Sequence, residues 1–294
     1  MEFPVRDLEE LQVTALVDNS AGGGLGLRAT HGLAMMVRTK FRGQWSNVLL
    51  DVGPDADLLF SNMDRLSIDP SSIGSIVLSH SHHDHTGGLV ETVERLGRKG
   101  LPIVVHPAAF RLTFGQRHSL YVLSTLAQDR AAIEAAGGVF IPVSEPLEVA
   151  PGLFTSGTVA RETGEPTGVD TKTVEDDGTW HDDPIMDDLS LVARVKGEGL
   201  VILTGCSHAG IINILRHSTK IAGDESIALV MGGFHLMSAS EERLSWAVAE
   251  FNALKPKLLV SGHCTGFEAE AAMRQVFGKA YRHMSVGQVV NLPA

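Results

Sequence analysis

Six consecutive residues constrain this chain more than any other feature: His80, Ser81, His82, His83, Asp84 and His85 hold four of its 13 histidines. They follow the apolar segment Ile76-Val77-Leu78 and precede Thr86-Gly87-Gly88. The order is therefore strand, polar tip, helix start. Along an extended segment alternate side chains share a side, so His80 and His82 point together. As the chain turns, Asp84 and His85 can reach a second nearby point. Imidazole nitrogens with a carboxylate suit Zn²⁺, with Fe and Mn²⁺ as alternatives. A local cluster cannot complete two metal spheres, so the fold must bring other strand ends to the same edge.

Three segments have the right context. "LTGCSHAG" offers Cys206 and His208, "VMGGFHL" offers His235, and "LVSGHCTG" offers His263. The competing reading of each is a polar residue closing a strand, with no metal. His106, His118, His181, His217 and His283 lack a partner cluster and read as surface or structural. His31 is set apart because it follows the glycine-rich "SAGGGLGL", Ser20 to Leu27. That loop lacks the third glycine and the following helix of a dinucleotide fingerprint and reads as mobile.

Apolar runs ending in turn residues predict strands at Val13–Val17, Leu33–Arg38, Val48–Asp51, Ile76–Leu78, Ile103–His106, Phe154–Gly157, Leu189–Val195, Leu200–Thr204, Ala228–Met231, Leu258–Ser261 and Gln288–Asn291. Helical spacing predicts Ala56–Leu66, Gly87–Leu96, Leu120–Ala136, Ile211–Ile221, Glu241–Leu254 and Glu268–Phe277. "NVLLDVGPDADLLFSNM" leading to "IVLSHSHHDH" is echoed by "GLVILTGCSHAGIINIL" leading to "ALVMGGFHL". Asp51 and Cys206 fall at matching strand ends, as do His80 and His235. The echo predicts an α/β fold of two related halves, layered helix–sheet–sheet–helix. It forms a single domain over residues 1–294, with halves 1–150 and 151–294. Residues 161–188 are acidic, poor in apolar side chains and long for a structureless connection, which leaves a solvated insertion or a substrate-covering lid.

With 294 residues, 44% of them hydrophobic, the chain can bury a sizeable core. A net charge of -11 argues against nucleic acid or anionic membrane as the main partner. "MEFPVRDLEELQVTAL" lacks the basic start and apolar core of a signal peptide, and no apolar run reaches the roughly 20 residues that span a bilayer. The expectation is a cytoplasmic protein. Two cysteines, Cys206 and Cys264, are too few for a disulfide framework, although one bridge is possible.

On "HSHHDH", the strand-end aspartate of "LLDVG" and the ending "EERLSWAVAEFNALKPKLLVSGHCTG", the chain resembles the metallo-β-lactamase superfamily over nearly its whole length. The resemblance implies an αββα sandwich with metals at one edge. It implies His80 and His82 in one site, Asp84 and His85 in a second, and His263 as a late ligand. Asp51 would orient a ligand without binding metal itself. Two departures stand out. Cys206 occupies the place where most members carry a metal-bridging aspartate, and the "PGHTPG"-like turn bearing an earlier ligand histidine is replaced by "DDPIMDD". "HGL", "GCSHAGIINI", "GGFHL" and "HCTG" resemble a narrower branch that includes dihydropterin–ribofuranosylaminobenzene phosphate synthases and metal-dependent hydrolases. In that branch His208 would supply the missing ligand. The bridging role of Cys206 stays open, because a thiolate favours softer metals.

The activity implied by the resemblance is that of a hydrolase with two divalent metal ions, Zn²⁺ first among them, acting on a small-molecule ester, lactone or phosphoester. Asp84 would accept the proton of the attacking water, and His235 would donate a hydrogen bond to the leaving group or substrate. A pterin-type C–N transferase acting on a phosphorylated or pterin-like substrate is the alternative. A metal-dependent binding or sensing protein without turnover is a third.

Overall fold

A computed structural model describes residues 5–116, 119–165, 171–174 and 177–294. Its layers follow from the two-residue period of its strands. Val48 and Leu50 face one core cluster while Leu49 between them faces another. Val201 and Leu203 likewise share the first cluster, and Ile202 faces a third. The first cluster thus lies between two sheets, joining Leu11, Met35 and Val77 to Leu191, Met231 and Val260.

One large sheet has the strand order Val289–Pro293, Glu10–Val17, Ala34–Phe41, Gln44–Leu50, Ser75–Val77, Leu101–Val105, Gly138–Pro142. The other runs Glu148–Ala150, Leu153–Thr155, Leu191–Val195, Gly199–Leu203, Ile227–Gly233, Leu258–Gly262, Tyr281–His283, with Asp7–Leu8 beside Leu191–Val195. Both sheets change character in the same way. Antiparallel pairing gives way to parallel pairing at Gln44–Leu50 in the first and at Gly199–Leu203 in the second. Parallel neighbours require crossovers, which the helices provide. Leu59 and Met63 of Ala56–Arg65, Val93 of Leu89–Leu96 and Ile133 of Leu126–Ala136 cover the first sheet. Leu215 of Ile211–Ala222, Phe251 of Glu241–Leu254 and Met273 of Phe267–Phe277 cover the second. The result is the αββα sandwich expected from the sequence.

Local structure departs from expectation in several places. The segment expected as one helix, Leu120–Ala136, divides: Leu120–Val122 pairs with Thr113–Gln116, and the helix starts only at Leu126. Tyr121 and Val122 favour an extended backbone, and the Ser124 hydroxyl accepts the Leu126 amide at the break. The expected helix Gly87–Leu96 begins at Leu89, and a separate helical turn, His83–Thr86, precedes it, so Asp84 and His85 project from a helical turn rather than a loop. Within the loop-like stretch 161–188, Thr171–Val174 and Trp180–Asp182 are strands. They complete a four-stranded antiparallel sheet with Thr113–Gln116 and Leu120–Val122. Strands Gly138–Pro142, Glu148–Ala150 and Tyr281–His283 were not expected at all. Among the described residues no helix is long and apolar enough to cross a membrane.

Candidate metal centre

The parallel strands of both sheets end at one edge, and their ends carry the polar residues that the sequence singles out. Asp51, Ser207, His235 and His263 each sit just past a strand with positive φ, between 47° and 62°. Non-glycine residues adopt this left-handed conformation at a cost and concentrate where a site over-determines the backbone. Each such turn swings a polar side chain inward across the edge.

Three imidazoles form one set. The ligand atoms of His80, His82 and His208 lie within 4.8 Å of one another, and all three rings are buried. His80 Nδ1 lies 3.0 Å from the Ser79 hydroxyl, while its Nε2, His82 Nε2 and both nitrogens of His208 have no hydrogen-bond partner. Burial, reinforced by the neighbouring histidines, holds the pKa values of His80 and His208 well below the ordinary imidazole value. Burial brings His82 down to about 4. These rings are therefore neutral, with lone pairs that no protein donor satisfies. Buried polar atoms are rarely left so, and neutral imidazole is the form that binds a cation.

Asp84, His85, Cys206 and His263 form the second set, again within 4.8 Å. His85 Nε2 lies 3.1 Å from Cys206 Sγ and 3.2 Å from His263 Nε2, and Asp84 Oδ2 lies 3.3 Å from that same His263 nitrogen. Behind His85, Asp51 Oδ2 is 2.7 Å from Nδ1. A carboxylate only accepts, so Nδ1 carries a proton and Nε2 is the nitrogen that faces the set, where a bound cation would replace its proton. Burial opposes a charge on His85, yet Asp84 and Asp51 outweigh it and lift its pKa to about 9. Asp84 is held well below the carboxylate range: burial acts against it, but His85 and His263 prevail. Burial pushes the Cys206 thiol up. The concentration of donors, one of them a thiol, fits a borderline-soft divalent ion such as Zn²⁺.

Cys206 and His208 also come within 4.8 Å of His235, whose ring lies 4.3 Å from that of His208. The structure thus brings every candidate site residue to one edge. His106 bonds Thr158, His217 bonds the Ser156 carbonyl, and His283 bonds Glu270 and Ser20, all outside these sets. His181 lies in the exposed strand Trp180–Asp182, and His118 falls outside the described residues. Cys206 and Cys264 are free thiols.

Several partners escaped the sequence reading. Asp18 and Asn19 follow the strand Glu10–Val17. Asp18 Oδ1 accepts the His263 amide at 2.9 Å, and Asn19 Oδ1 lies 3.3 Å from His263 Nδ1, turning Nε2 inward. Their signal was the one that exposed Asp51, a polar residue directly after an apolar strand. His31, which the sequence already sets apart from the other lone histidines, stacks on His263 with centroids 4.8 Å apart and places Nε2 3.3 Å from Asp84 Oδ2. Glu165 serves the helix that follows His208. That helix has Gly210 as its N-cap and no capping side chain of its own, so Glu165 Oε2 reaches across to the amides of Ile212 and Asn213 at 3.1 and 3.2 Å. Its signal was too weak to find, since the two segments are remote in sequence.

A cavity of about 230 Å³ opens above the sets. Asp84, His208, His235 and His263 line it on the sandwich side, and Tyr121 and Thr171 of the small sheet line the opposite wall.

Asp51→Asn is expected to weaken metal binding by the second set about 10–100-fold, as changes to groups behind a ligand do. Asp51 accepts from the Ser79 amide and hydroxyl and from His85, and an amide has one acceptor oxygen for those three donors. Competition against a chromophoric chelator measures it; an unchanged affinity would show that His85 needs no such support.

The chain is similar to several known proteins. A family model described as the metallo-beta-lactamase superfamily matches residues 30–263. The chain is 31% identical to the 7,8-dihydropterin-6-methyl-4-(beta-D-ribofuranosyl)-aminobenzene-5'-phosphate synthase of Methanocaldococcus jannaschii over 99% of both chains. The crystal structure of Tm1679, a metal-dependent hydrolase of the beta-lactamase superfamily, superposes with a TM-score of 0.80 at 28% identity, covering 97% of this chain and all of that one. A diphosphatase from the PhnP family shares the fold, with a TM-score of 0.55 at 13% identity over 97% of this chain and 98% of its own.

Proposed function

Because the chain belongs to the metallo-beta-lactamase superfamily, we propose that it is a metal-dependent hydrolase acting on a small-molecule ester, lactone or phosphoester. The observation that carries this reading is the group of buried, unpartnered nitrogens of His80, His82 and His208 beside the Asp84, His85, Cys206 and His263 set. On this reading His80, His82 and His208 would hold one divalent ion, and Asp84, His85 and His263 together with Cys206 would hold the other. Such ions, Zn²⁺ first among them, supply Lewis acidity and an activated water at neutral pH.

The protein's own groups do the rest. Asp84 takes the proton that the attacking water gives up as its oxygen bonds to the scissile carbon or phosphorus. His31, 3.3 Å away with its side chain 62% exposed, passes that proton to solvent. His235 donates a hydrogen bond to the leaving oxygen as the old bond breaks. Tyr121 and Thr171 hold the substrate against the metal edge and limit the water that reaches it. A cytoplasmic setting, where both thiols stay reduced, belongs to the same proposal.

The metal-replete protein should split at least one member of an ester, lactone and phosphodiester panel into two fragments. Mass spectrometry of the products checks this; full metal occupancy with every substrate intact would point to a binding or sensing protein. A second reading, a pterin-type C–N transferase, is supported by the similarity to the M. jannaschii synthase. Its signature is a single joined product from a pterin and a phosphorylated aminobenzene partner.

A further inference from the structure

Two adjacent carboxylates outside both ligand sets are buried beside them. Asp187 and Asp188 are 0% and 2% exposed and close the acidic stretch 161–188. Asp187 Oδ2 accepts the amide of Ser81 at 2.8 Å, and Ser81 lies between His80 and His82. Asp188 Oδ2 accepts the amide of Ala209 at 2.6 Å, and Ala209 directly follows His208. The next amide, that of Leu189, donates to the Ser79 carbonyl at 2.7 Å. Three consecutive residues therefore grip the backbone on both sides of the three-histidine set, which is drawn from different sheets.

The grip extends to the cavity wall. Arg111 Nη1 lies 2.8 Å from Asp187 Oδ1, and Arg111 Nε donates to Asp183 Oδ1 at 2.8 Å. Arg111 leads into the strand Thr113–Gln116, and Asp183 follows the strand Trp180–Asp182. Buried carboxylates are costly unless paired and hydrogen-bonded, and an apolar pair would fill the same space without that cost. What apolar side chains could not do is hold two backbone amides at a fixed separation.

We propose that Asp187 and Asp188 are positioning residues for the three-histidine set. By accepting the amides of Ser81 and Ala209 they fix how far the turn bearing His208 stands from the segment bearing His80 and His82. Arg111 ties this clamp to the small sheet above the cavity. The inference rests on the reading of His80, His82 and His208 as metal ligands.

Cobalt(II) titration of the metal-free protein tests it, because the two sets differ in their spectra. Cobalt in the Cys206 set gives a sulfur-to-cobalt charge-transfer band, and cobalt in the three-histidine set gives only ligand-field bands. Asp188→Ala should weaken the equivalent without charge transfer about 10–100-fold and leave the sulfur band intact. Asp188→Asn keeps an oxygen for the Ala209 amide and should bind both equivalents as the unaltered protein does. A folded Asp188→Ala protein with unchanged binding of both equivalents would overturn the inference. So would an Asp188→Asn protein as impaired as the alanine variant, since charge rather than position would then matter. Should Asp188→Ala fail to fold, Asp188→Asn decides alone: intact binding supports the clamp and weakened binding rejects it. Failure of the underlying reading looks different, because the unaltered protein itself would then take up no equivalent lacking the sulfur band; that result overturns both.

Discussion

His82→Ala is expected to lose one of two bound metal equivalents and nearly all hydrolytic activity together. His82 is one of only three donors in its set, and its Nε2 is buried without a protein partner. Changes to groups that merely support a ligand cost about 10–100-fold in affinity, so removal of the ligand itself should exceed the upper figure. A fall in kcat/KM on the order of 10³-fold corresponds to about 4 kcal/mol of lost transition-state stabilisation. The fold should survive, because His82 lies outside the three hydrophobic clusters. Elemental analysis and a denaturation curve separate the two effects. A stable variant with undiminished metal content would remove His82 from the centre.

Cys206→Ala should have the next largest effect. Cys206 Sγ lies 3.1 Å from both His85 Nε2 and His263 Nε2, and it also takes part in the group with His208 and His235. No other thiol is a member of any of these sets among the described residues. Its removal takes away the soft donor and one negative charge, so the second set should lose its preference for zinc over manganese as well as affinity. Cobalt loading should then give no charge-transfer band. Cys206→Asp replaces the thiolate by a harder donor and should restore two-metal binding with a shift towards harder ions. Retention of zinc preference in both variants would mean that the thiol does not touch the cation.

The features legible in the sequence were local or periodic. The apolar run before Asp51 foretold a strand, and the strand-end position of Asp51, His80, Cys206 and His263 foretold a shared edge. Spacing within "HSHHDH" separated His80 and His82 from Asp84 and His85, and these pairs fall in different sets. Features that stayed hidden depend on contacts between segments remote in sequence. Leu120–Val122 has enough apolar residues to read as helix, and its pairing with Thr113–Gln116 fixes the extended backbone that Tyr121 and Val122 favour. Asp187, Asp188 and Glu165 act by accepting backbone amides, and amides leave no trace in residue identity. His31 was set apart only because it follows a glycine-rich loop; its stack on His263 depends on where that loop returns.

Anomalous X-ray scattering at the zinc edge, from crystals of the zinc-loaded protein, tests the central claim most directly. Two peaks are predicted. One should lie about 2.0–2.1 Å from a ring nitrogen of each of His80, His82 and His208. The other should lie at bonding distance from Asp84, His85 and His263, with Cys206 Sγ about 2.3 Å away. A map with no peak at this edge, or with its peaks elsewhere and these rings turned apart, would contradict the account.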